Sequence, residues 1–180
     1  MRQFSWSFQN TGRIAASPES VVAWWLHPDR KDEFMRTVES LGGVGVTVEE
    51  LTVDGARFRV LRWDDDRGWE HIHTVPIRTN GQKPPDRQGD RFVVPASDST
   101  EIRHPTGEAI VVKCSGHVEF VADGPTGTEV IATHNHALTG GKRRRRRTFP
   151  QSQQRDTGAA FDQMVERCRS ALGSSSDHEI

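Results

Sequence analysis

The sequence predicts an α+β domain in which one curved antiparallel sheet wraps a long C-terminal helix. Three observations carry this. The order of elements reads strand, two short helices, six strands, long helix. The stretch Glu108 to Leu138 holds two β-rich runs around Ala122-Asp-Gly-Pro-Thr-Gly-Thr128, a hairpin signal. Phe161, Met164, Val165, Cys168 and Leu172 fall at i, i+3, i+4, i+7 and i+11, a single apolar helical stripe. A sheet curled around that helix buries both apolar faces. The length of 180 residues fits one domain, placed at 1–173, with 174–180 as a flexible tail.

Phe4, Trp6 and Phe8 alternate with Ser5, Ser7 and Gln9, which marks a half-buried strand continuing toward Ala15. Ser17-Pro18-Glu19 opens a helix. Ser suits the N-cap, Pro the first helical position, and Glu the positive end of the dipole. Val21, Val22, Trp24, Trp25 and Leu26 form its apolar side, and His27-Pro28 ends it. Asp29 is placed to cap a second helix carrying Phe34, Met35, Val38 and Leu41, stopped by Gly42-Gly43.

Val44 to Val53 is the next strand. Leu51 and Val53 break the parity of Val44, Val46 and Val48, predicting a bulge near Glu49-Glu50. Asp54-Gly55 is a tight turn into Arg57–Trp63. A third strand runs from Trp69 to about Thr79. Pairing Trp63 with Trp69 sets Leu61 opposite His71 and Arg59 opposite His73, and leaves open which face points inward. Asn80 to Gly89 reads as a polar loop, Arg91–Val94 as a short strand and Thr100–Arg103 as a second piece. Phe149-Pro150 reads as a break, with the helix from about Gln151 to Leu172.

In the central hairpin, Ala122 opposite Thr128 sets Phe120 against Val130, Val118 against Ala132, Gly116 against His134 and Cys114 against His136. Alternation then puts Phe120, Val118, Val130 and Ala132 on one face, which Cys114, His134 and His136 continue. An apolar stripe ending in titratable groups suggests a site inside a cavity.

Composition narrows the function. Charged residues reach 27% and no run approaches 18 apolar residues, so no membrane-spanning helix is expected. The N-terminus lacks the apolar core of a signal peptide, and a cytoplasmic location is expected. Cys114 and Cys168 lie on different elements, which argues against a disulfide framework. The net charge of −1 includes +6 from Lys142, Arg143, Arg144, Arg145, Arg146 and Arg147, leaving −7 elsewhere. An acidic body with one basic knot argues against a general nucleic-acid-binding surface.

The N-terminal strand, then Ile14-Ala15-Ala16-Ser17-Pro18-Glu19-Ser20-Val21-Val22-Ala23-Trp24-Trp25, then the final Phe161-Asp-Gln-Met-Val-Glu helix, resemble the SRPBCC superfamily, also called START-like or Bet v 1-like, including its polyketide cyclase/dehydrase group. The resemblance covers residues 4–172 in element order. It implies a helix-grip fold: a seven-stranded antiparallel sheet around the C-terminal helix, with a ligand cavity between them. It implies binding or transport of lipids, sterols or polyketides, or cyclase, dehydratase or hydrolase chemistry. The family shares no catalytic motif, so the resemblance assigns no catalytic residue.

Candidate ligand-lining residues are Trp63, Trp69, His71, His73, Cys114, Val118, Phe120, His134, His136, Phe161, Met164, Val165 and Cys168. Cys114, His134 and His136 have three readings: strand residues hydrogen-bonded to neighbours, ligand-lining groups, or acid/base or metal-binding groups. A thiolate and two imidazoles suit Zn²⁺, but a fourth ligand is missing, so neither metal nor cofactor is predicted. Trp24, Trp25, Phe34 and Met35 read first as core packing and second as a gate over the cavity. The run Lys142 to Arg147 reads as a solvated, flexible connection, an anionic-lipid or phosphate contact, or a nucleic-acid or acidic-partner contact. The expected function is binding or carriage of a small apolar or aromatic, lipid- or polyketide-like molecule. The alternatives are a cyclase/dehydratase-type enzyme with His134 or His136 as acid or base, and an interaction module docking through the basic run. Oligomeric state is not readable from the chain.

Overall fold

The computed structural model describes residues 3–27, 29–77, 85, 87–141 and 143–173, apart from the side chains of Lys31 and residues 143–147. The tail 174–180 and Lys142 lie outside the described residues. The elements are β1 (Phe4–Ile14), α1 (Pro18–Trp25), α2 (Arg30–Ser40), β2 (Val44–Val53), β3 (Ala56–Asp64), β4 (Glu70–Pro76), β5 (Arg87–Gln88), β6 (Arg91–Arg103), β7 (Ala109–Asp123), β8 (Gly127–Gly140) and α3 (Arg143–Gly173). Seven strands form one antiparallel sheet in the order β1-β8-β7-β6-β4-β3-β2, and the two-residue β5 pairs with β6 as an addition to the predicted seven.

Pairing fixes the faces. Even-numbered residues of β1, β6, β7 and β8 share the inner face with odd-numbered residues of β3 and β4. The register of the β7–β8 hairpin is the one predicted, with Cys114 opposite His136 and Gly116 opposite His134. The β3–β4 register differs: Trp63 faces His71 and Leu61 faces His73. This is a two-residue slip, so the shared face is kept while the partners change. The expected third strand begins at Glu70, because Asp65 accepts hydrogen bonds from the Arg67 and Trp69 backbone amides and holds the turn one residue longer.

Local chemistry explains the ends of the elements. Ser17 Oγ accepts from the Ser20 amide at 3.3 Å, and Pro18 opens α1. Asp29 occupies the N-cap of α2 but makes no side-chain capping bond, because its backbone is not extended (φ −80°, ψ 1°). Asp54 and Gly55 both have positive φ, 50° and 80°, as a tight primed hairpin turn requires. The β2 bulge lies between Val44 and Thr47, not at Glu49-Glu50, with Gly45 at φ 66°. Leu51 and Val53 are instead exposed on the outer face.

Two larger departures come from proline. β6 is one strand, because Pro95 falls between the segments that pair with β5 and with β4, where no second ladder is described for its missing N–H to interrupt. The helix α3 starts at Arg143 and carries Pro150 inside it. Phe149 packs against the apolar cluster of the sheet, a contact that offsets part of the roughly 3 kcal/mol cost of an interior proline.

The inner face carries two apolar clusters. One joins Ile14, Val21, Val22, Phe92, Val94, Phe120, Val130 and Ala132 to Phe161, Val165 and Cys168 of α3. The other gathers Ile102, Ile110, Val112 and Leu138, with Trp6, Trp69 and Phe149 against it. Full burial of a residue such as Phe120, 0% exposed, contributes on the order of 2–3 kcal/mol. Gly12 lets α3 lie close on β1: a Cβ there would meet Val165 Cγ2 at 2.8 Å. No described helix is long and apolar enough to cross a membrane.

Candidate functional site

Between the two apolar clusters the inner face turns polar. One row across the sheet reads Trp6, His136, Cys114 and Asp98, and the next reads Phe8, His134, Gly116 and Ala96. On β4, His73 faces Thr100 of β6 and Leu61 of β3. The site therefore draws on five strands: β1, β8, β7, β6 and β4.

Aromatic rings order the β1–β8 side. Trp6 stacks on His136 with centroids 5.1 Å apart and planes 8° from parallel. Phe8 stacks on His134 at 4.9 Å and on His136 at 5.2 Å. The two imidazoles lie 6.0 Å apart. Each is held as a plate, yet each keeps a ring nitrogen unmatched. His134 Nε2, His136 Nδ1, Trp6 Nε1 and Asn10 Nδ2 are buried and have no hydrogen-bond partner among the described residues. Burial lowers the His134 pKa against the opposing charge of Asp98, and pushes the His136 pKa down to about 4, helped by His134. Both are neutral imidazoles at pH 7.

Asp98 is the other pole. Its carboxyl lies 3.9 Å from His73 Nδ1, which also meets Thr100 Oγ1 at 2.9 Å. The Cys114 thiol lies opposite Asp98 on the same face, and burial together with that carboxylate pushes the thiol up to about 12. Burial raises the Asp98 pKa, opposed by His73, His134 and the thiol. Burial lowers the His73 pKa, opposed by Asp98, and Phe34 of α2 stacks on the His73 ring at 5.5 Å. Cys114 is a protonated thiol, a poor match to the thiolate that Zn²⁺ needs. No group of three His, Cys, Asp or Glu side chains among the described residues is placed to hold a metal ion.

The remaining predicted residues divide. Trp63 and His71 stack at 5.1 Å, and His71 Nε2 lies 3.3 Å from Asp65 Oδ2, so this pair belongs to the turn before β4. Trp69 packs on the second apolar cluster and meets the His104 ring edge-on at 4.5 Å. Phe120, Phe161, Val165 and Cys168 are packed core, with Val118 partly buried against them and Met164 half-buried. Trp25 packs against Phe120 and Phe161 as core, whereas Phe34 reaches the polar band. In the basic run only the backbone of residues 143–147 is described, as the first turns of α3.

Sequence reasoning missed Asp98, Trp6 and Phe8 as parts of the site. The signal was there for Asp98: Phe92, Val94, Asp98, Thr100 and Ile102 share one parity, although the stretch reads as two pieces, Arg91–Val94 and Thr100–Arg103. A hollow of about 580 Å³ is bordered by the outward-facing Phe58, Ser97, Ser99, Lys113 and Ser115 and also by Trp6, Asp98, Cys114 and His136 of the polar row, with no described α3 residue in its lining. It is not the cavity expected between sheet and helix.

Solved structures share this architecture. The protein Mll3558 from Rhizobium loti matches with a TM-score of 0.55 at 15% identity, over 92% of this chain and 99% of that one. A putative uncharacterized protein from Rhizobium leguminosarum matches with a TM-score of 0.55 at 14% identity, over 95% and 99%. Truncated norcoclaurine synthase from Thalictrum flavum matches with a TM-score of 0.52 at 10% identity, over 92% and 94%. The shared fold is the helix-grip fold. The likeness, at these identities, extends to fold alone. No family model and no curated protein matches the sequence.

Proposed function

We propose that the chain binds a small planar, apolar or aromatic molecule bearing polar oxygen, between the inner face of the sheet and α3. The observation that carries this reading is the set of four buried nitrogens on Trp6, Asn10, His134 and His136 that have no hydrogen-bond partner among the described residues, beside stacked aromatic rings. An unsatisfied buried polar group costs about 1–3 kcal/mol. A ligand that accepts from the indole and amide donors recovers that cost, and apolar clusters on either side suit its body. Norcoclaurine synthase, which shares the fold, has been solved with dopamine and hydroxybenzaldehyde; both carry an aromatic ring, in keeping with this ligand class.

Native mass spectrometry of the purified protein tests the reading. A co-purified aromatic adduct is expected, lost in His136→Phe, which keeps the ring and removes the free nitrogen. Adduct retention in both His136→Phe and Trp6→Phe would overturn it.

A second reading is supported by the proximity of neutral imidazoles to the Asp98 carboxyl. On it the site performs cyclase- or dehydratase-type chemistry of the polyketide cyclase/dehydrase kind, with His134 or His136 moving a proton. Turnover of a poly-β-ketone that is abolished in His134→Phe and His136→Phe is its expected signature.

A further inference from the structure

We propose that Asp98 is the base of this site and that the ligand it acts on is a planar ketone with a hydrogen on the carbon next to the carbonyl. The inference rests on the binding reading above. It adds an activity, proton transfer at carbon, and assigns it to a residue on a different strand from the histidines.

The geometry supplies each part. Asp98 lies on the inner face of β6, opposite Cys114 of β7, which is itself opposite His136 of β8. Its side chain is 28% exposed, so the carboxyl is enclosed yet reachable. The titratable groups facing it are His73, His134 and Cys114, and among the described residues no Lys or Arg contributes to its ionisation. A carboxylate in an enclosed site, with no Lys or Arg partner among the described residues, is a stronger base than one in water. His134 is near enough to feel its charge and presents an unpartnered Nε2. A neutral imidazole N–H is a suitable donor to an oxygen that gains charge. Phe8 fixes the plane of that ring, and the planar ligand continues the same stack.

In the step, ionised Asp98 removes a proton from the carbon next to the carbonyl. The C–H bond breaks and an O–H bond forms on Asp98. The electron pair moves to the carbonyl oxygen, and the enolate accepts a hydrogen bond from His134 Nε2. Return of the proton to carbon restores Asp98. The net change is hydrogen exchange or a shifted double bond, with no oxidant, reductant or co-reactant.

The test uses 1-indanone in D₂O with the full-length protein. Deuterium uptake at C2 is followed by NMR, and binding is followed by tryptophan fluorescence. The wild type is expected to accelerate exchange about 100-fold over buffer, the scale of a positioned general base. The protein-dependent rate is expected to rise with pH and level off once Asp98 is ionised. Asp98→Asn is expected to bind 1-indanone and lose the acceleration. Saturable binding with no protein-dependent exchange in the wild type overturns proton transfer and leaves the binding reading standing. Exchange retained in Asp98→Asn overturns the assignment to Asp98. Absence of saturable binding overturns both. The wild-type pH profile decides the matter even if Asp98→Asn fails to fold, because a protein-dependent rate that climbs without levelling excludes a carboxyl base.

Discussion

The two His-x-His pairs have the same spacing, both lie on the inner face, and they differ in nearly everything else. His71 and His73 have polar partners in the fold: Asp65 Oδ2 at 3.3 Å for one, Thr100 Oγ1 at 2.9 Å for the other. His134 and His136 each keep a buried ring nitrogen with none among the described residues, and stack on aromatic side chains of the neighbouring strand. The first pair closes its hydrogen bonds internally and so contributes to stability. The second leaves them open, as a ligand site requires. The motif is identical in sequence, and the neighbouring strand decides the role: β3 and β6 flank the first pair, β1 and β7 the second.

The largest effect is expected where the second pair is anchored. A Cβ on Gly116, opposite His134, falls on the Thr133 carbonyl oxygen. Gly116→Ala is expected to destabilise by on the order of 3 kcal/mol, read as a lowered denaturant midpoint, and to displace His134. A midpoint like that of the wild type would show that β7 and β8 tolerate wider spacing, removing the anchor from the comparison.

Acid should separate the pairs next. His136 is held at about 4 against an ordinary 6.5, and His73 and His134 are lowered in the same direction by burial. The unfolded chain therefore takes up protons first. This contribution is complete above 6.5 and is lost as pH falls from there toward 4, for His136 on the order of 3 kcal/mol. Asp98 runs the other way: its raised pKa gives a contribution present at low pH and lost as pH rises through the folded value. Chemical denaturation across this range should show the net loss toward acid, flattened in His136→Phe. An unchanged slope in that variant would contradict a buried neutral His136.

A smaller effect is expected from His73→Phe. It keeps the stack on Phe34 but strands the Thr100 hydroxyl, at a cost of about 1–2 kcal/mol. His136→Phe should be close to neutral at pH 7, because it removes a buried nitrogen that has no described partner, while abolishing ligand retention. If the two substitutions cost the same stability, the division of roles fails. The smallest effect is expected at the exposed Arg57–Glu50 pair on the β2–β3 edge, where Arg57→Ala should leave the denaturant midpoint essentially unchanged.

The sequence made the β7–β8 register legible because a tight turn and an uninterrupted alternation agree from Ala122 to Cys114. The same logic slipped by two residues at β3–β4, where Asp65 lengthens the turn by capping backbone amides. Faces survived that slip because parity did, so His71 and His73 could be grouped but not given partners. The order of elements was legible throughout. The start of α3 was not, because a local rule about proline lost to the packing of Phe149 on the sheet. Asp98 escaped for a related reason. The polar stretch between Val94 and Thr100 reads as a gap between two fragments, and only pairing along the full length of β7 restores one strand and turns the carboxyl inward. The partners of each histidine come from strands remote in sequence, which no local pattern encodes.

Gly12 has a further role beyond close packing. With Val165 Cγ2 only 2.8 Å from where its Cβ would stand, the Val165 side chain of α3 rests directly on the backbone of β1, with no β1 side chain between. That contact lies at one end of the long helix, while Phe149 rests near Trp6 at the other. Position 12 is therefore a spacer, and one methyl group there would act as a shim that tilts the roof over Asn10, Phe8 and Trp6. The spacing between α3 and the polar rows of the sheet is set at a residue outside those rows.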